Sequence, residues 1–86
     1  MDTQAIDSIN ELMRGIINDG AVPKNIKKSV QEAKNKINSQ EAPEVALTSA
    51  IYLLDECLND INMPFHTRPE LMSIISELER IKEEAK

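Results

Sequence analysis

Aromatic side chains are nearly absent from this 86-residue sequence, which has one tyrosine, one phenylalanine and no tryptophan. Proteins that bind bases often stack them on aromatic faces, and sugars are recognised in a similar way. Tyr52 and Phe65 are too few to form such a platform. The formal net charge of −5 also repels phosphate at long range. The composition therefore argues against recognition of nucleic acids or sugars by stacking.

Residues that bind metals or act in catalysis are also scarce. There is one cysteine, Cys57, and one histidine, His66. A single cysteine cannot form an internal disulfide and suits a reducing cytosol, and its place on an apolar stripe predicts an inert core residue. The sequence has no H-x-x-x-H, C-x-x-C or E-x-x-H pair, no phosphate-binding loop and no calcium loop. We therefore predict no catalytic, cofactor-binding or metal-binding residues and no enzyme activity.

Long apolar runs are missing as well. The longest contain three or four residues, as at 51–54, whereas a membrane-spanning helix needs about 20. The first four residues, Met-Asp-Thr-Gln, are acidic and lack the apolar stretch of a signal peptide. We expect a soluble, cytoplasmic protein with no membrane partner.

Helical periodicity is what the sequence does contain. Apolar residues recur with i, i+3, i+4, i+7 spacing in four segments, near 4–18, 23–38, 43–61 and 67–84. Short links between helices of similar length make neighbouring helices antiparallel. A chain of this length has room for one domain. We therefore predict an all-α fold, an antiparallel four-helix bundle formed by residues 1–86.

The two halves of the chain resemble each other when the sequence is shifted by 41 residues. Each half reads as a helix, a D-x-x-[VM]-P corner and a second helix, which predicts two tandem αα-hairpins with pseudo-repeats at about 2–41 and 43–84. Two amphipathic hairpins always match in part, but amphipathicity does not require a shared corner. A HEAT-like pair of stacked hairpins, open at both ends, is the alternative arrangement. The identical positions in the first half are Ala5, Ser8, Leu12, Asn18, Asp19 and Pro23.

The corners carry more local predictions. Gly20 follows Asp19 at the end of the first helix and is a natural left-handed C-cap. If the corners are equivalent, Asp19 should lie near Lys27 and Asp60 near Arg68, each cation eight positions further along the chain. Such partly exposed pairs contribute about 0.5–1 kcal/mol each.

The second corner contains a candidate anion site. His66 and Arg68 lie two residues apart beside a helix N-terminus, which favours negative charge. The alternative is structural: Thr67 and Glu70 form a capping box, Arg68 pairs with Asp60 or a nearby carbonyl, and His66 is a polar corner residue. We favour the structural alternative because one histidine without a second titratable partner is weak evidence for a site.

The second helix carries half of the basic residues and is the candidate nucleic-acid face. Lys24, Lys27 and Lys28 lie on its outer side, with Lys34 and Lys36 further along. A solvated face, or one side of a charge-complementary protein contact, is the simpler interpretation.

The third helix has more apolar surface than three narrow neighbours can cover. Val45, Ile51 and Tyr52 lie outside the stripe that a single partner would bury, and Met72 of the fourth helix also lies off its buried line. Surplus apolar surface on a small domain indicates a contact site. We predict a protein interaction module that binds itself as a homodimer or binds another protein, with these four residues as its candidate surface.

The two corners also support a family resemblance. Residues 22–27 (Val-Pro-Lys-Asn-Ile-Lys) and 62–68 (Asn-Met-Pro-Phe-His-Thr-Arg), in a chain of about ninety residues, resemble the motifs of one of the small uncharacterised (UPF-type) protein families of archaea. The resemblance extends through residues 75–79. It implies an all-helical bundle in a cytoplasmic archaeal protein, with no assigned activity.

Overall fold

Four helices make up the fold. The computed structural model describes residues 2–84, which form α1 (Thr3–Ile17), α2 (Lys24–Ile37), α3 (Pro43–Leu58) and α4 (Thr67–Glu84), with no strand in that range. The prediction of an all-α four-helix fold is confirmed.

The helices form a closed ring. In the described chain, α1 packs against α2 and α4, α3 packs against the same two helices, and the diagonal pairs are not in contact. The contact between α2 and α3 is the most extensive and that between α1 and α4 the least. Because α1 meets α4, the hairpins close into a bundle of 35 × 21 × 20 Å instead of an open stack.

The bundle core is built from the same positions in both hairpins. Each member of nine pairs separated by 41 residues is buried. Burying a large aliphatic side chain contributes about 1.5–3 kcal/mol relative to leaving it exposed, so this set supplies most of the favourable energy of folding. The pairs are Ile6/Leu47, Ile9/Ala50, Met13/Leu54, Ile16/Cys57, Val22/Met63, Ile26/Thr67, Val30/Leu71, Ala33/Ile74 and Ile37/Leu78.

The two corners repeat the same hydrogen bonds. The backbone N–H of Ala21 donates to the Asp19 carboxylate at 2.9 Å, and that of Asn62 donates to the Asp60 carboxylate at 2.8 Å. This local turn needs no left-handed residue, and none of the glycines in the described chain has a positive φ. The predicted left-handed C-cap at Gly20 is therefore wrong. The matched turns support duplication of a hairpin, which stays a prediction.

Helix α3 ends three residues earlier than predicted, at Leu58 instead of Ile61. The reason is the turn at Asp60, whose side chain accepts from the Asn62 amide and draws the chain out of the helix. Ile61 consequently lies in the corner with 95% of its surface exposed.

The predicted capping box at the start of α4 is not formed. The N–H groups of Thr67 and Arg68 both donate to the Pro64 carbonyl, at 3.1 and 3.3 Å, so the first turn begins before Thr67. Thr67 therefore occupies an inward position, equivalent to Ile26, and is fully buried. Its hydroxyl oxygen has no hydrogen-bond partner among residues 2–84.

The two corners are joined by reciprocal side-chain contacts. Nε2 of His66 lies 2.7 Å from a carboxylate oxygen of Asp19, and the Asn25 amide donates to Asp60 at 2.5 Å. Residues 25 and 66 are equivalent under the 41-residue shift. Each corner therefore contributes one aspartate and one side chain that bonds to the aspartate of the other corner. The pair of contacts has approximate twofold symmetry and holds the two hairpins together at one end of the bundle.

The expected ion pairs within each corner are therefore not the main contacts. Arg68 donates to the Leu58 carbonyl at 2.8 Å, at the end of α3, and Asp60 bonds to Asn25. The Ala21 amide, then the His66 contact, lowers the pKa of Asp19, with a smaller contribution from the charge of Lys27. Neither predicted pair forms an ion pair within residues 2–84, although Lys27 is close enough for its charge to act on Asp19. The hydrogen bonds between side chains come from the opposite corner, which only the packing of the two hairpins brings close.

We expect the substitution Thr67→Val to stabilise the protein by about 1 kcal/mol. A methyl group of similar size replaces a buried hydroxyl that lacks a partner, and such a hydroxyl carries an uncompensated desolvation cost. The measurement is the free energy of unfolding in urea. Thr3→Val at the exposed start of α1 is the matched control and should change it little. A loss of stability in Thr67→Val alone would mean that the hydroxyl is satisfied in solution.

We expect Asp19→Asn to lower the thermal midpoint near neutral pH, since the neutral amide keeps the turn but loses the charge that faces His66. Because the folded state depresses the pKa of Asp19 below its ordinary 3.8, this contribution is complete above that value and is lost as pH falls through the lower, folded pKa. Thermal midpoints of the two proteins should therefore converge in acid. Asp7→Asn, at an exposed position of α1, is the control. A difference that stays constant down to pH 2 would contradict the assignment.

Candidate interaction surface

Within residues 2–84, six large apolar side chains are substantially exposed, and five of them belong to the second hairpin. The six are Leu12, Val45, Tyr52, Ile61, Phe65 and Met72. The first hairpin has a polar residue or glycine at the positions equivalent to the last five, which are Gln4, Glu11, Gly20, Lys24 and Gln31. The fold therefore does not need apolar side chains at these positions, and the second hairpin carries an apolar surplus that its own architecture does not explain.

Val45 and Tyr52 lie on one outer face of α3. They are seven residues apart, about two helical turns, and are 52% and 65% exposed. Thr48 and Ser49 lie between them and line the adjoining concave surface. We call Val45, Thr48 and Tyr52 the α3 strip.

A groove runs between the α3 strip and α2. It has a volume of about 440 Å³, and its lining is more apolar than polar. The Tyr52 hydroxyl lies within hydrogen-bond reach of Glu56, and this contact raises the pKa of Tyr52. The lining residues are Glu32, Lys36, Thr48, Ser49, Tyr52 and Leu53.

A more polar counterpart of this groove, with a lining that is about half apolar, lies on the opposite side of the bundle. Between α1 and α4 a concavity of about 510 Å³ contains Ser8 and Leu12, the equivalents of Ser49 and Leu53. Glu77 takes the place of Lys36, so the charge of that position is reversed. The polar groove lies along the least extensive helix contact, which leaves Leu12 46% exposed.

The other two residues of the predicted surface lie elsewhere. Ile51 is partly buried against the core and lines a shallow groove between α3 and α4 with Glu79. Met72 is 54% exposed and lies two turns before Glu79, hence on the same side of α4. The four residues named from the sequence thus divide between an α2–α3 face and an α3–α4 face, because residues 51 and 52 point about 100° apart on a helix.

Sequence reasoning missed the most exposed apolar pair. Ile61 and Phe65 are 95% and 96% exposed in the corner between α3 and α4. Ile61 was assigned to helix 3, and Phe65 was treated only as part of a motif. The available signal was the 41-residue shift, which aligns them with Gly20 and Lys24, two positions that remain in solvent in the first corner.

His66 and Arg68 do not point to a common ligand position. His66 contacts the Asp19 carboxylate, which disfavours a second anion there, and Arg68 donates to the Leu58 carbonyl. The geometry agrees with the structural alternative in one respect, since Arg68 pairs with a nearby carbonyl, but the capping box of Thr67 and Glu70 that belonged to that alternative is not formed.

The three lysines of the candidate nucleic-acid face are not equivalent. Lys24 and Lys28 are exposed and form no ion pair within residues 2–84. Lys27 is partly buried and acts on Asp19 of the first corner. The exposed charges therefore number two on this part of α2, which makes a short patch.

Cys57 lies on the buried side of α3, with the Ser29 side chain close enough to hydrogen-bond to its thiol. Burial raises the pKa of Cys57 despite that contact, and the acidic residues Asp60 and Glu56 act in the same direction. A thiol that stays protonated is a poor nucleophile, so this site offers no activated cysteine.

Among the helices of residues 2–84, none has the length and apolar content needed to cross a membrane.

Two solved structures have the same fold. A crystal structure of a protein of unknown function, MMP1188, is 34% identical, with a TM-score of 0.87 over 92% of this chain and 91% of that one. A crystal structure of a UPF0147 protein from Thermoplasma acidophilum is also 34% identical, with a TM-score of 0.86 over 92% and 94% of the two chains.

Sequence relatives agree with the structural ones. A UPF0147 protein of Methanocaldococcus jannaschii is 50% identical over 68 residues, which is 78% of this chain and 73% of the relative. One of Methanothermobacter thermautotrophicus is 36% identical over 84 residues, 96% and 82% of the two chains. The profile of the uncharacterised protein family UPF0147 matches residues 1–81. The resemblance inferred from the corners is confirmed, and the chain belongs to the UPF0147 family.

Proposed function

We propose that this protein is a small, non-catalytic, cytoplasmic helical module for protein–protein interaction, and that its contact surface is the α3 strip with the adjoining groove. The observation that carries the proposal is that exposed positions with polar residues in the first hairpin have apolar residues at the equivalent positions of the second. Gln4 and Glu11 in the first hairpin become Val45 and Tyr52 in the second, at positions that both hairpins leave exposed.

Burial elsewhere in the chain strengthens this interpretation. A domain of this size buries only about 60–65% of its unfolded surface and needs its apolar residues inside. Val45 and Tyr52 contribute little to that core, and leaving them in water has no structural benefit. A concave, weakly polar groove beside an exposed tyrosine is a common feature of contact surfaces, where tyrosine is enriched.

We expect the double substitution Val45→Gln with Tyr52→Glu to abolish association while leaving the helices intact. The new residues are those that the first hairpin already tolerates at the equivalent positions, so the thermal midpoint should change little. Met72→Gln, which copies Gln31 in the same way on the α3–α4 side, is the matched control and should retain association. Circular dichroism follows folding, and light scattering follows self-association above the 9.7 kDa of one chain.

Binding to a different protein needs a separate measurement. A photo-crosslinking residue at Thr48, the centre of the strip, should form a discrete product in an extract of the source cells. Excess wild-type protein should compete for it, and the doubly substituted protein should not. The same residue at Asp7, the equivalent position of the first hairpin, should form no such product. Equal competition by both proteins, or equal crosslinking at both positions, would contradict the proposal.

Nucleic-acid binding is the second candidate, favoured by one observation: Lys24 and Lys28 are exposed and unpaired within residues 2–84. If this patch binds RNA or DNA, affinity should fall steeply with salt, and Lys24→Glu with Lys28→Glu should abolish it. A gel shift with mixed oligonucleotides at low salt tests this. The absence of a shift at micromolar protein would exclude the candidate, because even non-specific binders shift nucleic acid under those conditions.

A further inference from the structure

The face formed by α2 and α3 has complementary halves. On the α2 side, Lys28 is exposed and makes no ion pair within residues 2–84, whereas Lys36 is already paired with Glu41 at 2.9 Å. On the α3 side, Glu44 and Glu56 are exposed, and no basic residue occurs between Lys36 and Arg68. The groove and the α3 strip lie between these two sides. The α2 side also carries the exposed Glu32, so its unpaired positive charge is Lys28 alone, whereas the charged residues of the α3 side are acidic.

The levels of these charges along the helices are fixed by contacts across the groove. Ser29 of α2 lies beside Cys57 of α3, and Glu32 lines the groove with Ser49 and Leu53. The neighbours of the first pair, Lys28 and Glu56, therefore lie at nearly the same height on opposite sides of the face. They are not paired with each other, because the groove separates them.

We propose that the partner of this face is a second copy of the chain, related by a twofold axis that runs parallel to the helices through the groove. This inference rests on the proposed function of the α3 strip. The rotation places α2 of each copy over α3 of the other at the same height. Lys28 of one copy then meets Glu56 of the other, and the pair occurs twice in the dimer. Tyr52 of each copy lies over the groove of the other, against the aliphatic parts of Glu32 and Lys36.

The charge pattern selects this axis over the alternative. A twofold axis perpendicular to the helices would place α2 on α2 and α3 on α3. That arrangement opposes the acidic residues of the two α3 helices and gives Lys28 no partner on α3, so it is disfavoured. A symmetric interface must be self-complementary, and the opposite charges of the two sides meet that requirement only in the first arrangement.

The size of the face also suits a dimer. One side of the 35 × 21 Å bundle offers a projected area of roughly 700 Å², close to the ~800 Å² per partner of standard protein interfaces. Ile61 and Phe65 in the corner between α3 and α4 are more exposed than Val45 and Tyr52, but no charge pattern there identifies an occupant.

Charge reversal tests the arrangement, with association measured by sedimentation equilibrium across the micromolar range. We expect the wild type to be a dimer, and Lys28→Glu or Glu56→Lys alone to weaken dimerisation by at least about tenfold, because each single variant opposes like charges twice. An equimolar mixture of the two variants should restore it as a heterodimer in which both contacts are again complementary. Glu79→Lys, on the α3–α4 side, changes the net charge as Glu56→Lys does and is the matched control. It should neither weaken the dimer nor rescue Lys28→Glu.

Each contrary result has a distinct meaning. A wild type that remains a 9.7 kDa monomer, or a mixture that does not reassociate, would overturn the inference. In either case, the wild type could still compete for the product crosslinked at Thr48 while the variant with Val45→Gln and Tyr52→Glu does not. That result would leave the proposed interaction module standing, with a different partner. If that double variant associated like the wild type, the proposed function would fail as well.

Discussion

The constraint on which this structure depends is the shortage of buried volume in an 86-residue chain. With a single small core, nearly every apolar residue of the helix stripes must be inside. The chain meets this requirement mainly with paired positions: except for Ala46, Ile75 and Ile81, each buried residue among the described residues has a buried counterpart 41 residues away. Apolar residues that lie outside the pairs can therefore be identified without reference to any other protein. This is why the exposed side chains of the second hairpin are informative.

The approximate twofold symmetry is strongest at the corners. It is weakest along the two contacts between the hairpins, α2 with α3 and α1 with α4, which we call the seams. Both aspartates form the same turn, and each reaches the other corner through Asn25 or His66. The two seams between hairpins then diverge, since α2 packs closely on α3 while α1 packs less extensively on α4. The corners fix the directions of the helices, and the side chains between them decide how closely each seam packs. The groove along the α1–α4 seam is the more polar of the two, and the groove along the α2–α3 seam is the more apolar.

Periodicity was sufficient to predict the helices, because each amphipathic stripe is long and each link contains a proline or directly precedes one. It failed where a residue has two possible roles. Thr67 has the sequence of a helix cap but occupies the core position of Ile26, and Ile61 continues an apolar stripe but follows a turn at Asp60. Applying the 41-residue shift consistently would have corrected both. The contacts of Asp19 and Asp60 could not be derived in this way, since they depend on how two hairpins meet in space.

The difference between the hairpins is the part of the sequence that folding does not account for. The first hairpin keeps polar residues and most of the lysines on its outer positions, and the second keeps apolar and acidic residues on its own. If solubility alone had governed these surfaces, both hairpins would carry the polar type, which the first shows to be compatible with the fold. The two kinds of surface meet where α1 lies beside α4 and where α2 lies beside α3, and the second of these contacts has the more apolar groove. On that face Lys28 of α2 and the glutamates of α3 adjoin an apolar groove, and the proposed second copy would pair the lysine with a glutamate on both sides at once.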